Sequence, residues 1–174
     1  MLPTMTFSSI SWIMLSCLIP LSQTQGVDFE KGLPSAKIIC PMDSVLYYSY
    51  CYTLFMKPTT WMDANIVCQK RPSGSLASVL SKSEASFVGS VVRNNLDNNS
   101  DVWIGLHDPT EGLRPYGSGW EWSSTDLMNY NAWEINPPIP YSGYCGSVTK
   151  NSDFLKWKDN NCDAKLPYVC KFKY

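Results

Sequence analysis

Histidine occurs once in this chain, at position 107, and no Cys-x-x-Cys pair occurs at all. Thiolate–imidazole zinc sites are therefore not expected. Excess charge of either sign is missing as well: 14 Lys and Arg stand against 15 Asp and Glu, a net charge of −1. That balance argues against nucleic acid as a partner and against a strongly cationic membrane-binding face. Long apolar runs are absent. The longest, residues 10–21, is too short to span a bilayer comfortably. It lies in a 26-residue N-terminal stretch without a charged side chain and precedes Thr24-Gln25-Gly26, with small residues at the last and third-last positions. This reads as a secretory signal peptide cleaved after Gly26, lacking the usual basic start. No later stretch could span a bilayer, so no integral membrane segment is expected. His107-Asp108 sits among many serines, but nothing marks a serine as nucleophile, and a triad needs three groups in register. The chain is not expected to be an enzyme, and His107 reads as structural.

What is present is one domain's worth of sequence, 174 residues, with 13% aromatics. Loss of the signal removes Cys17 and leaves six of the seven cysteines, an even number that implies disulfides in a secreted chain. Six cysteines allow fifteen pairings. The pattern favours Cys40–Cys51 and Cys145–Cys162, each closing a hairpin, with Cys68–Cys170 tying the first helix to the last strand. Residues 27–37 carry two acids and two bases and no apolar period. They read as a disordered tail or as a short prosegment cut after Lys37 by a trypsin-like protease. Residues 38–174 form the domain.

Thr60 with Asp63 opens a helix over 61–71, stopped by Pro72 and Gly74. Ser81 with Glu84 opens a second, whose buried stripe is Ala85, Val88, Val91 and Val92. Asn98-Asn99-Ser100 is an N-glycosylation sequon at Asn98. Residues 102–106 read as a buried strand and Trp120-Glu121-Trp122 as an alternating one. Between them lies a Gly/Pro-rich loop, residues 107–119, centred on Arg114-Pro115-Tyr116. Such a loop between apolar strands is where binding sits. The candidate binding residues are His107, Glu111, Arg114, Pro115, Tyr116 and Glu121. A second proline-rich loop, residues 126–144, precedes a hairpin turning at Lys150-Asn-Ser-Asp153. Trp103, Trp120, Trp122 and Trp157 read as core, and Lys156, Lys158, Lys171 and Lys173 as a solvated strand face.

Two helices, then Trp103-Ile-Gly-Leu106, Gly119-Trp-Glu-Trp122, Trp157-x-Asp159-x-x-Cys162 and Pro167-Tyr-Val-Cys170, resemble a C-type lectin-like domain over about residues 40–174. The extra Cys40–Cys51 pair resembles its long form. Cys68-Gln-Lys-Arg-Pro-Ser-Gly74, Trp103-Ile-Gly-Leu-His-Asp-Pro-Thr110 and Leu166-Pro-Tyr-Val-Cys-Lys-Phe172 resemble the regenerating islet-derived (Reg) family, most of all its third subgroup. The resemblance implies an α+β fold with two helices flanking two antiparallel sheets, three disulfides in the pairing above, secretion, and trypsin cleavage after Lys37. It implies a glycan or peptidoglycan as partner in epithelial defence, or a cell-surface receptor for a trophic signal. Self-assembly after prosegment removal is a further implied behaviour.

C-type lectins that bind sugar through calcium use Glu-Pro-Asn in the loop and Trp-Asn-Asp in a following strand. Here the matching residues are Arg114-Pro115-Tyr116 and Trp157-Lys158-Asp159. Calcium needs six to eight oxygen ligands, and only the Asp159 carboxylate remains of that set. A unit charge ~4 Å away contributes about 4 kcal/mol at an effective dielectric of ~20, roughly double for a divalent ion. Arg114 and Lys158 thus turn attraction into repulsion, and no calcium or other cofactor is expected. Related proteins that bind peptidoglycan without calcium use the Glu of the same triplet. Arg114 reverses its charge and donates hydrogen bonds without accepting them, and Tyr116 removes the amide. The expected result is weakened or altered glycan recognition by a cationic–aromatic patch.

Overall fold

The structure is a computed structural model that describes residues 39–96, 100–114, 118–135 and 143–174. The signal cleavage at Gly26, the Lys37 cut, the Asn98 sequon and the Pro115-Tyr116 pair lie outside the described residues. The element order is β1 (Val45–Tyr47), β2 (Tyr50–Thr59), α1 (Trp61–Gln69), β3 (Ser75–Leu76), α2 (Lys82–Arg93), β4 (Val102–His107), β5 (Glu121–Trp122), β6 (Cys145–Val148), β7 (Trp157–Asn160) and β8 (Leu166–Phe172).

Both helices start where the capping residues put them. The Thr60 hydroxyl accepts from Asp63 N–H at 3.2 Å, and the Ser81 hydroxyl from Glu84 N–H at 3.1 Å. Helix α1 stops at Gln69, two residues before the expected end. The N–H groups of Lys70 and Arg71 bond to the carbonyls three residues back, Val67 and Cys68, which tightens the last turn. Helix α2 buries Ala85, Val88, Val91 and Val92, the expected stripe, and Glu84 as well.

The strands run β1-β2-β8-β4-β6-β7, with β3 also paired to β8 and β5 to β4. The two antiparallel sheets expected are joined by one parallel pairing, Trp103 opposite Tyr168, into a single mixed sheet. The β6–β7 hairpin turns through a 3-10 segment, Lys150–Ser152. Its second strand begins at Trp157 rather than Phe154, because Asp153 and Phe154 adopt left-handed backbone at φ 59° and 61°. Disulfides join Cys40 to Cys51 and Cys145 to Cys162, the two pairs that hairpin spacing favours, and Cys68 to Cys170, the remaining pair, which ties α1 to β8.

The core has two parts. Ile104, Leu106, Trp122, Trp157 and Val169 pack with the α2 stripe, while Trp61, Cys68, Trp103 and Cys170 pack beneath α1. Lys171 corrects the expectation of a solvated lysine face. It is 6% exposed, and its ammonium lies 2.7 Å from Glu84 Oε1 and 3.0 Å from Ser78 Oγ. Strand β8 lies between β2 and β4 and is covered on both faces, so a cation there needs a buried counter-ion. Among the described residues no helix is long and apolar enough to cross a membrane.

Candidate functional site

Strand β4 ends at His107, and the loop to β5 starts on Asp108. Asp108 is buried, 4% exposed, and its carboxylate organises the first turn. Oδ1 accepts from Thr110 N–H at 2.8 Å and from the Thr110 hydroxyl at 2.6 Å, and Oδ2 accepts from Gly112 N–H at 3.2 Å. The Asp108 N–H in turn donates to the Tyr144 carbonyl at 2.8 Å, which fixes the loop to the segment before β6. Glu111 and Gly112 turn the chain at φ 50° and 76°. Gly119 brings the returning chain against the same carboxylate: a Cβ there would lie 2.2 Å from Asp108 Oδ1. An aspartate bonding the backbone two residues on is a common turn device. Asp-x-Thr-x-Gly is its signal in the sequence.

Cross-strand register places His107 opposite Glu121. Their side chains approach to 4.0 Å, Nε2 to Oε1, and the imidazole stacks on Trp61 with ring centroids 4.6 Å apart. Burial pushes the His107 pKa below the usual histidine value, against the opposing pull of Glu121 and Asp108. Nothing in the sequence marks Trp61 as part of the site, because its contact with His107 depends on α1 packing against β4. Of the candidate residues, the structure brings together His107 and Glu121. Glu111 and Arg114 project into solvent from the turn, and among the described residues no hydrogen bond or ion pair joins them to that pair. Leu113, beside Arg114, is 87% exposed.

Next to the site, the packing around β5 is aromatic. Trp122 and Trp133 meet Trp157 edge-on at 5.3 and 5.8 Å, and Trp120 meets Trp133 at 4.6 Å. These contacts hold β5 and the chain after it against β7; Trp103, Trp122 and Trp157 are core as expected, while Trp120 is only partly buried and packs against the core from its edge. Past β5, Asp126 Oδ2 accepts from Ser78 Oγ at 2.6 Å and Ser124 Oγ at 2.8 Å, anchoring the start of the second long loop.

On β7, Asp159 is buried, 8% exposed, with Oδ2 lacking a hydrogen-bond donor, while Lys158 beside it is exposed. The Asn160 amide donates to Ser147 Oγ at 2.7 Å. One buried carboxylate does not make an oxygen shell for calcium, and Lys158, next to it in the strand, offers no oxygen donor. Among the described residues no group of three or more His, Cys, Asp or Glu converges where a metal ion could sit.

The Lectin C-type domain family matches residues 57–172. Over 174 residues the chain is 61% identical to human regenerating islet-derived protein 3-gamma, covering 99% of both chains. It is 59% identical to bovine lithostathine over 173 residues and 54% identical to mouse regenerating islet-derived protein 3-alpha over 174, again covering 99% of both chains in each case. Its fold superposes on a crystal structure of human lithostathine with a TM-score of 0.73 at 41% identity, covering 84% of this chain and 99% of that one. With these relatives, the β4–β5 loop and the three disulfides, the chain belongs to the regenerating islet-derived family of C-type lectin domains, in its third subgroup.

Proposed function

We propose that this chain is a secreted carbohydrate-binding protein of epithelial defence that works without calcium, through the β4–β5 loop, with its ligand changed by Arg114, Pro115 and Tyr116. The donor chemistry on β7 carries the calcium part: buried Asp159 next to exposed Lys158, with Arg114 in the loop that would have to close the shell. Carbohydrate binding is supported by the lectin fold and by a loop braced on Asp108, so its exposed residues are presented at little ordering cost. Arg114 favours ligands rich in acceptor oxygens, since a guanidinium donates and never accepts. His107 supports binding rather than catalysis, being stacked on Trp61 and faced by Glu121. An uncharged N-terminal stretch and three disulfides support secretion into an oxidising compartment.

Capture on insoluble peptidoglycan tests this reading. The bound fraction should be the same with calcium or with EDTA, and should fall severalfold in Arg114→Ala. A second reading, a trophic signal acting through a cell-surface receptor, is favoured by Leu113, which sets an exposed apolar side chain beside Arg114 as at protein contacts. Absent capture together with saturable, Leu113-dependent binding to epithelial cells would select that reading.

A further inference from the structure

A cavity of about 290 Å³ opens where the end of α1, the approach to the β1–β2 hairpin and the end of β8 meet. Ser44, Thr53, Phe55, Lys70, Arg71 and Phe172 line it, and no residue of the β4–β5 loop does. Arg71 is its fixed element. Its N–H donates to the Cys68 carbonyl at 3.1 Å, and its carbonyl accepts from Gly74 N–H at 2.9 Å. Cys68 is itself tied to β8 by the bond to Cys170. The guanidinium carbon lies 4.7 Å from the Phe55 ring centroid and 5.2 Å from that of Phe172. Phe55 in turn stacks on Tyr168 at 4.9 Å.

Two rings therefore hold the guanidinium by cation–π attraction while its N–H edge finds no oxygen acceptor among the described residues. Among the described residues the buried cation Lys171 is neutralised by Glu84 at 2.7 Å, and the exposed Arg93 pairs with Asp153 at 3.1 Å. Among the described residues neither Arg71 nor Lys70, the exposed C-cap of α1 on the same wall, makes an ion pair. An oriented guanidinium fork matches a planar carboxylate through two parallel hydrogen bonds, and its ordering cost is already met by the rings. Across the cavity, the Ser44 and Thr53 hydroxyls bond each other at 2.6 Å and offer polar contacts to ligand hydroxyls. Asp43 on the rim disfavours a ligand of high negative charge such as a phosphate, but tolerates a single carboxylate. The volume falls just below the ~300–1,000 Å³ range of small-molecule pockets, and so suits one sugar ring with its substituent.

We propose that Arg71 and Lys70 bind a carboxylate-bearing sugar, a hexuronate unit of a glycan, at a site separate from the β4–β5 loop. Trigalacturonate titrated into the secreted chain at about 50 mM salt, with neutral galactotriose as control, tests it by calorimetry and amide chemical shifts. The acidic sugar should shift the amides of Lys70, Arg71, Gly74 and Phe172 and leave those of Gly105, His107, Trp120 and Trp122 in place, while galactotriose shifts none of them. That map reads the site whether or not the loop binds peptidoglycan. Arg71→Gln should weaken trigalacturonate binding at least about tenfold, the loss of a bidentate charge-assisted pair. Should Arg71→Gln fail to fold, Lys70→Ala, an exposed substitution, should weaken it about threefold. Equal binding of the two sugars, no shifts at about 10 mM ligand, or unchanged affinity in either folded variant would overturn the proposal.

Discussion

Replacing Glu84 by glutamine removes one negative charge from a place where water does not reach. The Glu84 and Lys171 side chains are each 7% exposed and 2.7 Å apart. Glu84 also accepts from Leu80 N–H at 2.8 Å and from the Tyr52 hydroxyl. Burial, and then Glu84 itself, raise the Tyr52 pKa far above its ordinary value, so that hydroxyl remains a donor. At 2.7 Å and an effective dielectric of ~20 the ion-pair attraction is about 6 kcal/mol. Glutamine keeps a carbonyl acceptor, and the Ser78 oxygen and the Tyr50 ring, 4.7 Å away, keep part of the ammonium's environment. The net loss should then be about 3–5 kcal/mol, as for a buried charge left without its partner. The assay is urea unfolding at neutral pH with the disulfides intact, read as a fall in midpoint at constant m. Adding Lys171→Met to Glu84→Gln should recover the stability to within about 1–2 kcal/mol of the parent, since an apolar replacement of similar size removes the stranded charge. The consequence reaches the binding loops, because Ser78 also donates to Asp126. Amide exchange at Ser123, Thr125 and Asp126 should accelerate in the single variant. A loss below about 1 kcal/mol in Glu84→Gln would refute the argument, as it would mean that the Lys171 ammonium is solvated.

Three further outcomes are expected. His107, the chain's only histidine, should titrate below pH 6.5 by NMR, because burial lowers its pKa. The unfolded chain then binds this proton more readily, so stability should fall as pH drops through 6.5 toward the folded value, and His107→Gln should abolish that component of the pH profile. Asp108→Ala removes three hydrogen bonds from the loop and should cost about 2–3 kcal/mol while lowering peptidoglycan capture; Gly119→Ala should reproduce the binding defect by driving a methyl into the Asp108 carboxylate. Removing Cys68–Cys170 by paired alanines should cost up to about 4.7 kcal/mol for its separation of 102 residues, against about 3 for Cys40–Cys51 at 11, both read by thermal unfolding.

Local chemistry made much of the fold legible. Thr60 and Ser81 announced both helices, the valine spacing gave the buried face of α2, and hairpin spacing favoured two of the disulfide pairs, Cys40–Cys51 and Cys145–Cys162. What escaped depends on long-range register. Lys171 looked solvated because nothing near it in sequence shows that β8 is central, paired with β2 at Thr53↔Cys170 and with β4 at Trp103↔Tyr168. Glu84 was recognised as a cap, yet its carboxylate reaches across to Lys171, 87 positions away. In the site, His107 and Glu121 were both named, but their pairing and the Trp61 stack arise only once β5 and α1 settle against β4. The altered residues were legible as chemistry, since Arg114 puts a cation where a carboxylate is expected and Lys158 puts one where a neutral amide is expected, whatever the geometry. Arg71 gave no signal, because its cavity is assembled from three distant segments.

The central claim is recognition of glycan through the β4–β5 loop without calcium. Peptidoglycan capture of the parent chain and of Arg114→Ala, each measured in calcium and in EDTA, tests it most directly. Equal capture by the parent in both conditions and a severalfold loss in Arg114→Ala in both are expected. Capture by the parent that vanishes in EDTA and returns with calcium would contradict it.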